Sequence, residues 1–503
     1  MTNHLFHGLL ETALSAPERR FAVLASGESF TYGDLDAMSA RMANVLAATG
    51  VQPGDRVAVQ VEKSVQALVL YVATVRAGAA FLPLNTGYTP SEIDYFLTDA
   101  GPSVFVCDPG ARDTLAGIAE KAGAAMLTLG RSGTDGTLAD LAREAEAAFE
   151  PVARGAGDLA AILYTSGTTG RSKGAMLSHE NLLSNARVLE KTWAFTRDDV
   201  LLHCLPIFHT HGLFVATNTT LVSGASMIFL PKFDLDEIFV RMPHATTMMG
   251  VPTFYTRMLA DPRLNREATA HMRLFTSGSA PLLADTHIAF EERTGQRILE
   301  RYGMTETNMN TSNPYDGERR AGTVGFPLEG TELRIVGKED GQPVPQGEIG
   351  VIEVKGPNVF QGYWKMPEKT AAEFRADGFF ITGDLGIIDT DGYVVIVGRD
   401  KDLVISGGYN VYPKEIEELI DELPGVVESA VIGVPHPDFG EGVVGVVVAK
   451  APMEESAILA PLQGRLAKYK QPKRVMFVDE LPRNTMGKVQ KNLLRDAYAG
   501  LFS

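Results

Sequence analysis

Between Thr31 and Thr276 the sequence alternates short apolar runs with amphipathic stretches, and this alternation constrains the fold more than any other feature. Thr31-Tyr-Gly-Asp-Leu opens a run with apolar positions at helical spacing as far as Leu46, and Arg56-Val-Ala-Val-Gln-Val follows as a short strand. A helix over 65–76, a strand over 80–83, a helix over 91–98 and a strand over 103–107 continue the series. It recurs in a strand over 159–164, a helix over 181–193, and strands over 200–204, 225–229 and 273–276. Strands joined through helices pair in parallel, and a parallel sheet must be covered on both faces.

After about residue 322 the pattern changes. Segments 332–336, 350–354 and 393–397 are short strands between Gly, Pro and Asp turns, which predicts antiparallel β structure. Past Gly398-Arg-Asp-Lys-Asp the order is mixed. A helix spans 413–423 with Pro413 in its first turn, strands span 429–434 and 443–449, and a helix spans 454–469. The expected fold is α/β. A large N-terminal domain, 1–399, holds mostly parallel sheets flanked by helices plus a β-rich subdomain, and a small α+β C-terminal domain occupies 400–503.

With 503 residues, 45% hydrophobic and 21% charged, the chain has the length and composition for a large core in two or more domains. A net charge of −16 speaks against nucleic acid as a partner of the surface as a whole. That charge is uneven. Residues 464–495 carry Arg465, Lys468, Lys470, Lys473, Arg474, Arg483, Lys488, Lys491 and Arg495 against only Asp479 and Glu480, a local +7. On charge alone this reads as a solvated helix face. Cys107 and Cys204 cannot form a disulfide framework. The most apolar stretch, 65–84, is broken by Gln66, Arg76 and Pro83, so it reads as a buried helix running into a strand rather than a membrane span. The N-terminus has no basic segment ahead of an apolar run. A cytoplasmic protein with no membrane partner is expected.

The strand over 159–164 ends in Thr165-Ser-Gly-Thr-Thr-Gly-Arg-Ser-Lys-Gly174. Hydroxyls, glycines and a lysine after a buried strand suit a polyphosphate, because free N–H groups and hydroxyls donate and Lys173 adds charge. The spacing is not that of a Walker loop. A flexible Gly/Ser/Thr connector is the plainer alternative. Tyr164 to Gly174 resembles the signature loop of the acyl-adenylate-forming enzymes, which include acyl-CoA synthetases, adenylation domains of peptide synthetases and luciferases. Further matches stand in that family's order: Ser277-Gly-Ser-Ala-Pro-Leu282, Tyr302-Gly-Met-Thr-Glu306, Thr382-Gly-Asp384, Gly398-Arg-Asp-Lys-Asp402, Gly407-Gly-Tyr-Asn410 and Pro482-Arg-Asn-Thr-Met-Gly-Lys488.

The resemblance implies a reaction in two halves. A carboxylate attacks the α-phosphate of ATP and pyrophosphate leaves; the thiol of coenzyme A then displaces AMP from the acyl-adenylate. Two anions meet in the first half, so positioning and charge neutralisation carry the catalysis. Carried over residue by residue, Thr165, Ser166, Gly167, Thr168, Thr169 and Lys173 cradle the phosphates. Gly278, Ser279, Ala280, Tyr302 and Thr305 contact the nucleotide, with Tyr302 stacking on adenine. Asp384 accepts from the ribose hydroxyls and Arg399 assists. Glu306, with Thr165, holds Mg²⁺. Lys488 reaches the attacking carboxylate and α-phosphate. The small domain turns about a hinge at Asp400, withdrawing Lys488 and bringing Gly407, Gly408 and Tyr409 toward coenzyme A, with Lys470 near its phosphates. Taken singly, Glu306 is a surface acid, Tyr302 a core tyrosine, Asp384 a turn residue and Lys488 a solvent lysine.

Arg301 departs from the commonest pattern. It precedes Tyr302 at a position that lines the acyl pocket in relatives, where a guanidinium suits a second carboxylate better than a fatty or aromatic acid. An Arg paired with Glu300, or pointing outward, is the structural alternative, and strict strand alternation would send Arg301 and Tyr302 to opposite faces. In Phe208-His-Thr-His-Gly212, His209 resembles a histidine at the entrance between the ATP and acyl sites, and His211 lines the substrate with Met304. His203, Cys204, His209 and His211 fit no usual zinc spacing. A short dicarboxylate, malonate or methylmalonate, is expected. A fatty- or aryl-acid CoA synthetase, a peptide-synthetase module and a non-enzymatic nucleotide-binding protein stand as alternatives; a chain running to Ser503 without a carrier segment is expected of a free CoA-dependent enzyme. The segment from Pro482 to Lys488 also resembles a sequence recognised by protein lysine acetyltransferases.

Overall fold

In the computed structural model, helix Val65–Arg76 has every residue but Gln66 buried. A helix apolar on all sides must lie inside. Helix Tyr32–Ala48 begins where its sequence signals a start: Thr31 accepts from the Asp34 N–H, and the Asp34 carboxylate accepts from the Thr31 N–H at 2.8 Å. This capping box satisfies two backbone donors that the first turn leaves without partners. The structure describes residues 2–165, 172–407, 409–463, 465–484 and 487–502.

The chain forms two units, Met1–Ala321 with Gly325–Glu332 and Lys355–Phe380, and Gly322–Val324 with Leu333–Val354 and Ile381–Ser503. The first unit holds two large sheets. In one, Arg56–Gln60 lies between Ala80–Pro83 and Val104–Cys107, both parallel to it, with Ala125–Thr128 beyond the latter. Leu159–Thr165 joins in parallel beside Ala80–Pro83, and Lys173–Ser178 and Gly362–Tyr363 extend the sheet antiparallel. In the other, Arg20–Leu24, Ser226–Phe229, Val200–His203, Thr247–Gly250, Leu274–Ser277 and Ile298–Met304 form a parallel series. Asn308–Ser312 and then Phe326–Pro327 extend one end antiparallel. The parallel sheets expected from the alternation are there, and the antiparallel edges are what the alternation does not encode.

The second unit holds a four-stranded sheet, Glu332–Val336, Gly350–Lys355, Phe380–Ile388 and Val394–Arg399, whose last two strands pair antiparallel. It also holds a five-stranded sheet centred on the long antiparallel pair Val426–His436 and Gly440–Ala449. Arg474–Phe477, which the sequence does not announce, runs parallel beside Gly440–Ala449. The helix expected over 454–469 is corrected: it is Glu455–Leu462, with Pro461 in its last turn. Proline has no N–H to donate and its ring clashes with the preceding turn, so the helix stops there. Among the described residues no helix is long and apolar enough to cross a membrane.

Candidate active site

The glycine-rich loop joins two antiparallel strands, Leu159–Thr165 and Lys173–Ser178, with Thr165 opposite Lys173. The next described element is thus a strand, where a Walker loop opens a helix. Ser166, Gly167, Thr168 and Thr169 lie outside the described residues. Lys173 opens the second strand. Its Nζ sits 3.3 Å from Glu373 Oε1 and 4.1 Å from the Tyr363 ring centroid. The Tyr363 hydroxyl lies 2.6 Å from Glu373 Oε2 and 3.0 Å from Glu306 Oε1. Tyr363 thus links the half-buried pair Lys173 and Glu373 to the buried glutamate of Tyr302-Gly-Met-Thr-Glu306. Burial and the adjoining Glu306 push the Tyr363 phenol far up, so it stays protonated and donates. Burial alone would raise the Glu373 carboxyl; Lys369, Tyr363 and Lys173 outweigh it and hold the group below the usual carboxylate range. Glu306 is 6% exposed. A buried carboxylate together with the Thr165 hydroxyl is hard-oxygen chemistry that fits Mg²⁺.

The second part of the site grows from the turn after Leu274–Ser277. Strand Ile298–Met304 pairs in parallel with it up to Glu300, then antiparallel with Asn308–Ser312 from Arg301 onward, with a bulge between Tyr302 and Gly303. The bulge falls after Tyr302, so Arg301 and Tyr302 keep the regular alternation expected of a strand, and it is Arg301 that is the more buried of the two. Arg301 is 3% exposed, and its Nε and Nη2 have no hydrogen-bond partner. Burial pulls its guanidinium down to about 9, with Tyr255 opposing. Glu300 does not neutralise it: its Oε1 faces His287 Nδ1 at 3.3 Å. Gly278 makes room, since a Cβ there would stand 2.3 Å from Arg301 Nη1. Ser279 follows with φ of 69°, and its hydroxyl meets His211 Nδ1 at 3.2 Å.

His211 is 1% exposed, its Nε2 has no partner, and the Ser277 hydroxyl beside this turn is likewise unpaired. Burial, then Arg301, His209 and His203, push the His211 pKa well below its ordinary value, so the ring is neutral. Where the Ser279 hydroxyl donates to Nδ1, the ring proton sits on Nε2 as an uncharged donor. The His211 N–H donates to His209 Nδ1 at 3.4 Å. His209, Ala280, Tyr302, Met304 and Thr305 are half-buried.

In the second unit Asp384 is 3% exposed and pairs with Arg399 at 2.6 Å across neighbouring strands. Lys488 is exposed, in a tight turn where Asn484 Oδ1 accepts from its N–H at 2.9 Å. Gly407 has φ of +60° and donates to the Phe439 carbonyl; Gly408 lies outside the described residues. Tyr409 is 59% exposed and stacks on Tyr469 with centroids 4.7 Å apart. Lys470 pairs with Glu415 at 2.7 Å. Arg465, Arg474, Arg483, Lys491 and Arg495 pair with Glu422, Glu455, Glu428, Glu417 and Asp402, so most of the +7 segment is neutralised within its own unit. Tyr363 and Glu373 were invisible to sequence reasoning, for their partners lie far away along the chain.

A family model described as AMP-binding enzyme matches residues 10–364, and one described as AMP-binding enzyme C-terminal domain matches residues 415–488. Feruloyl-CoA synthase of Amycolatopsis sp is 38% identical over 94% of this chain and 95% of its own. Malonate–CoA ligase of Arabidopsis thaliana is 34% identical over 95% of this chain and 86% of its own. The crystal structure of ATP-bound MatB from Rhodopseudomonas palustris, 62% identical, matches with a TM-score of 0.98 over 100% of both chains. The ordered motifs, the two-sheet scaffold and these matches agree: the chain belongs to the AMP-binding enzyme family.

Proposed function

We propose that this chain is an AMP-forming acid–CoA ligase that adenylates malonate, or methylmalonate, and passes the acyl group to coenzyme A. Curated relatives of similar identity carry the names of ferulate and malonate enzymes, and the solved structure at 62% identity is a MatB. Arg301 supports the short diacid from the chain's own residues. Its two unpartnered atoms, Nε and Nη2, form one edge of the guanidinium, the edge that grips a carboxylate through two parallel hydrogen bonds. A phenyl or alkyl acid would leave this charge buried and uncompensated, at a cost of several kcal/mol. The distal carboxylate of a short diacid neutralises it, and His211 adds a neutral donor.

The other carboxylate attacks the α-phosphorus of ATP, forming the acyl–phosphate bond as the bond to pyrophosphate breaks. Thr165, residues 166–169 and Lys173 hold the phosphates, and Glu373 fixes Lys173 from behind. Glu306 and Thr165 are the residues that would hold Mg²⁺, which when bound screens the phosphate charge. Tyr302 packs on adenine, Asp384 and Arg399 take the ribose, and His209 stands between nucleotide and acid. Lys488 neutralises the charge that gathers in the transition state. The coenzyme A thiolate then attacks the acyl carbonyl carbon and AMP leaves. Residues 1–399 bind nucleotide and acid, and 400–503 form a mobile lid hinged at Asp400 that carries Lys488, Gly407, Gly408, Tyr409 and Lys470. The exposed Lys488 is also where a lysine acetyltransferase would silence the enzyme, by removing the charge; mass spectrometry of the protein from cells tests this. The buried free thiols Cys107 and Cys204 suit a reducing, cytoplasmic setting.

Pyrophosphate release with malonate, methylmalonate, acetate, octanoate and coumarate tests the acid. Malonate is expected to give the highest kcat/KM. Highest activity on octanoate or coumarate would sink the reading.

A further inference from the structure

The loop after strand Arg56–Gln60 places Lys63 against the last residue of Val200–His203, so one side chain ties the two sheets of the first unit together. Lys63 Nζ lies 2.9 Å from the His203 carbonyl and 3.0 Å from His203 Nδ1. It also stands 4.3 Å from the centroid of Phe229, the neighbour of His203 in the sheet. On the far side of the imidazole, Nε2 sits 3.0 Å from the Gly212 carbonyl. A carbonyl only accepts, so Nε2 carries the proton and Nδ1 is left to accept from Lys63. Burial and the neighbouring Lys63 push the His203 pKa well below its ordinary value, consistent with one proton on the ring.

The Gly212 carbonyl matters because of where it sits. Residues His211–Thr217 form π-helical turns, a rare conformation that recurs at functional sites. His203 and the Thr217 hydroxyl, the latter at 2.9 Å, both bond the Gly212 carbonyl. From the other side Gly212 is pressed against Pro206, whose carbonyl oxygen would stand 2.0 Å from any Cβ. The residue immediately before this pinned glycine is His211, whose unpartnered Nε2 belongs to the acid pocket.

We propose that Lys63 is a positioning residue for the acid pocket: through His203 it fixes the Gly212 carbonyl and thereby the turn that aims His211. The relay runs Lys63 N–H to His203 Nδ1, and His203 Nε2–H to the Gly212 carbonyl, with each group facing the partner its polarity requires. This rests on the acid pocket described above but not on malonate being the acid.

Three variants test it: Lys63→Met, which keeps length and removes the donors; His203→Leu, which removes both polar contacts; and His203→Gln, whose amide both accepts and donates. The readouts are KM for the acid that the wild type prefers, KM for ATP, and kcat. Lys63→Met and His203→Leu are expected to raise the acid KM about tenfold, the scale of losing a buried hydrogen bond, with ATP KM changed less than about twofold. His203→Gln is expected to recover most of the loss. An unchanged acid KM, an ATP KM that rises in parallel, or a Gln variant no better than Leu would each overturn the proposal. A wild-type preference for octanoate refutes the malonate reading alone and leaves these comparisons readable.

Discussion

Arg301→Met separates a binding residue from a structural one, because the two roles predict opposite changes in stability. In the free protein the guanidinium is 3% exposed and two of its nitrogens have no partner. Each unsatisfied buried polar group costs about 1–3 kcal/mol, and an uncompensated charge costs more. Methionine fills a similar shape without that penalty, so the free variant is expected to be more stable by about 1–3 kcal/mol, a rise in melting temperature of a few degrees. The same change removes a bidentate, charge-assisted contact to the distal carboxylate. That loss is about 3–4 kcal/mol, or about 10²–10³ in kcat/KM for malonate, while acetate, which has no second carboxylate, is affected little. Differential scanning fluorimetry with and without malonate, together with coupled pyrophosphate release, reads both effects. Malonate is expected to raise the melting temperature of the wild type and not that of the variant. A variant that melts lower and loses malonate and acetate activity in equal measure would show that Arg301 holds the fold rather than the substrate.

Gly278→Ala places a Cβ 2.3 Å from Arg301 Nη1, so the guanidinium must shift; a rise in malonate KM of about tenfold or more with a smaller change in ATP KM is expected from initial-rate kinetics. Lys488→Ala removes a preorganised charge, and ATP–pyrophosphate exchange is expected to fall by about 10²–10³; near-normal exchange would remove Lys488 from adenylation. Asp421 is pushed up to about 7, first by burial and then by Glu417 and Glu428. Between its unfolded value near 4 and about 7 the native state binds the extra proton, so stability falls as pH rises through that window. Asp421→Asn is expected to raise the melting temperature at pH 8, to raise it less at pH 5, and to leave it nearly unchanged below about pH 4.

The alternation of strands and helices was legible because each element carries its period within a few residues, and Val65–Arg76 and Ala80–Pro83 stand where that period puts them. The helix over 454–469 was misread where periodicity was followed past Pro461. The basic segment shows a different limit. Counting charges in a window credits Lys470, Arg474 and Lys491 with free charge, yet Glu415, Glu455 and Glu417, all outside that window, pair with them. Lys173 and Glu373 meet across 200 residues, and Lys63 and His203 across 140. Such pairs follow from which strands become neighbours in a sheet, a decision that no local pattern records.

Among the described residues some helix starts are capped and many buried polar groups find partners, as at Thr31 with Asp34 or Arg76 with Asp36. Several of the buried polar atoms without partners, at Thr210 and His211, at Thr276 and Ser277, and at Arg301, come from three separate segments, and two of these, at Ser277 and at Arg301, lie on adjacent strands. Folding gains nothing from burying a donor without an acceptor, and each one left so lowers stability. A cluster of them, with a guanidinium among them, is stable in the working protein only if something else completes it. What completes it must be small enough to enter a buried pocket, rich in acceptors, and negatively charged. A carboxylate meets all three conditions; an aromatic ring or an alkyl chain meets one.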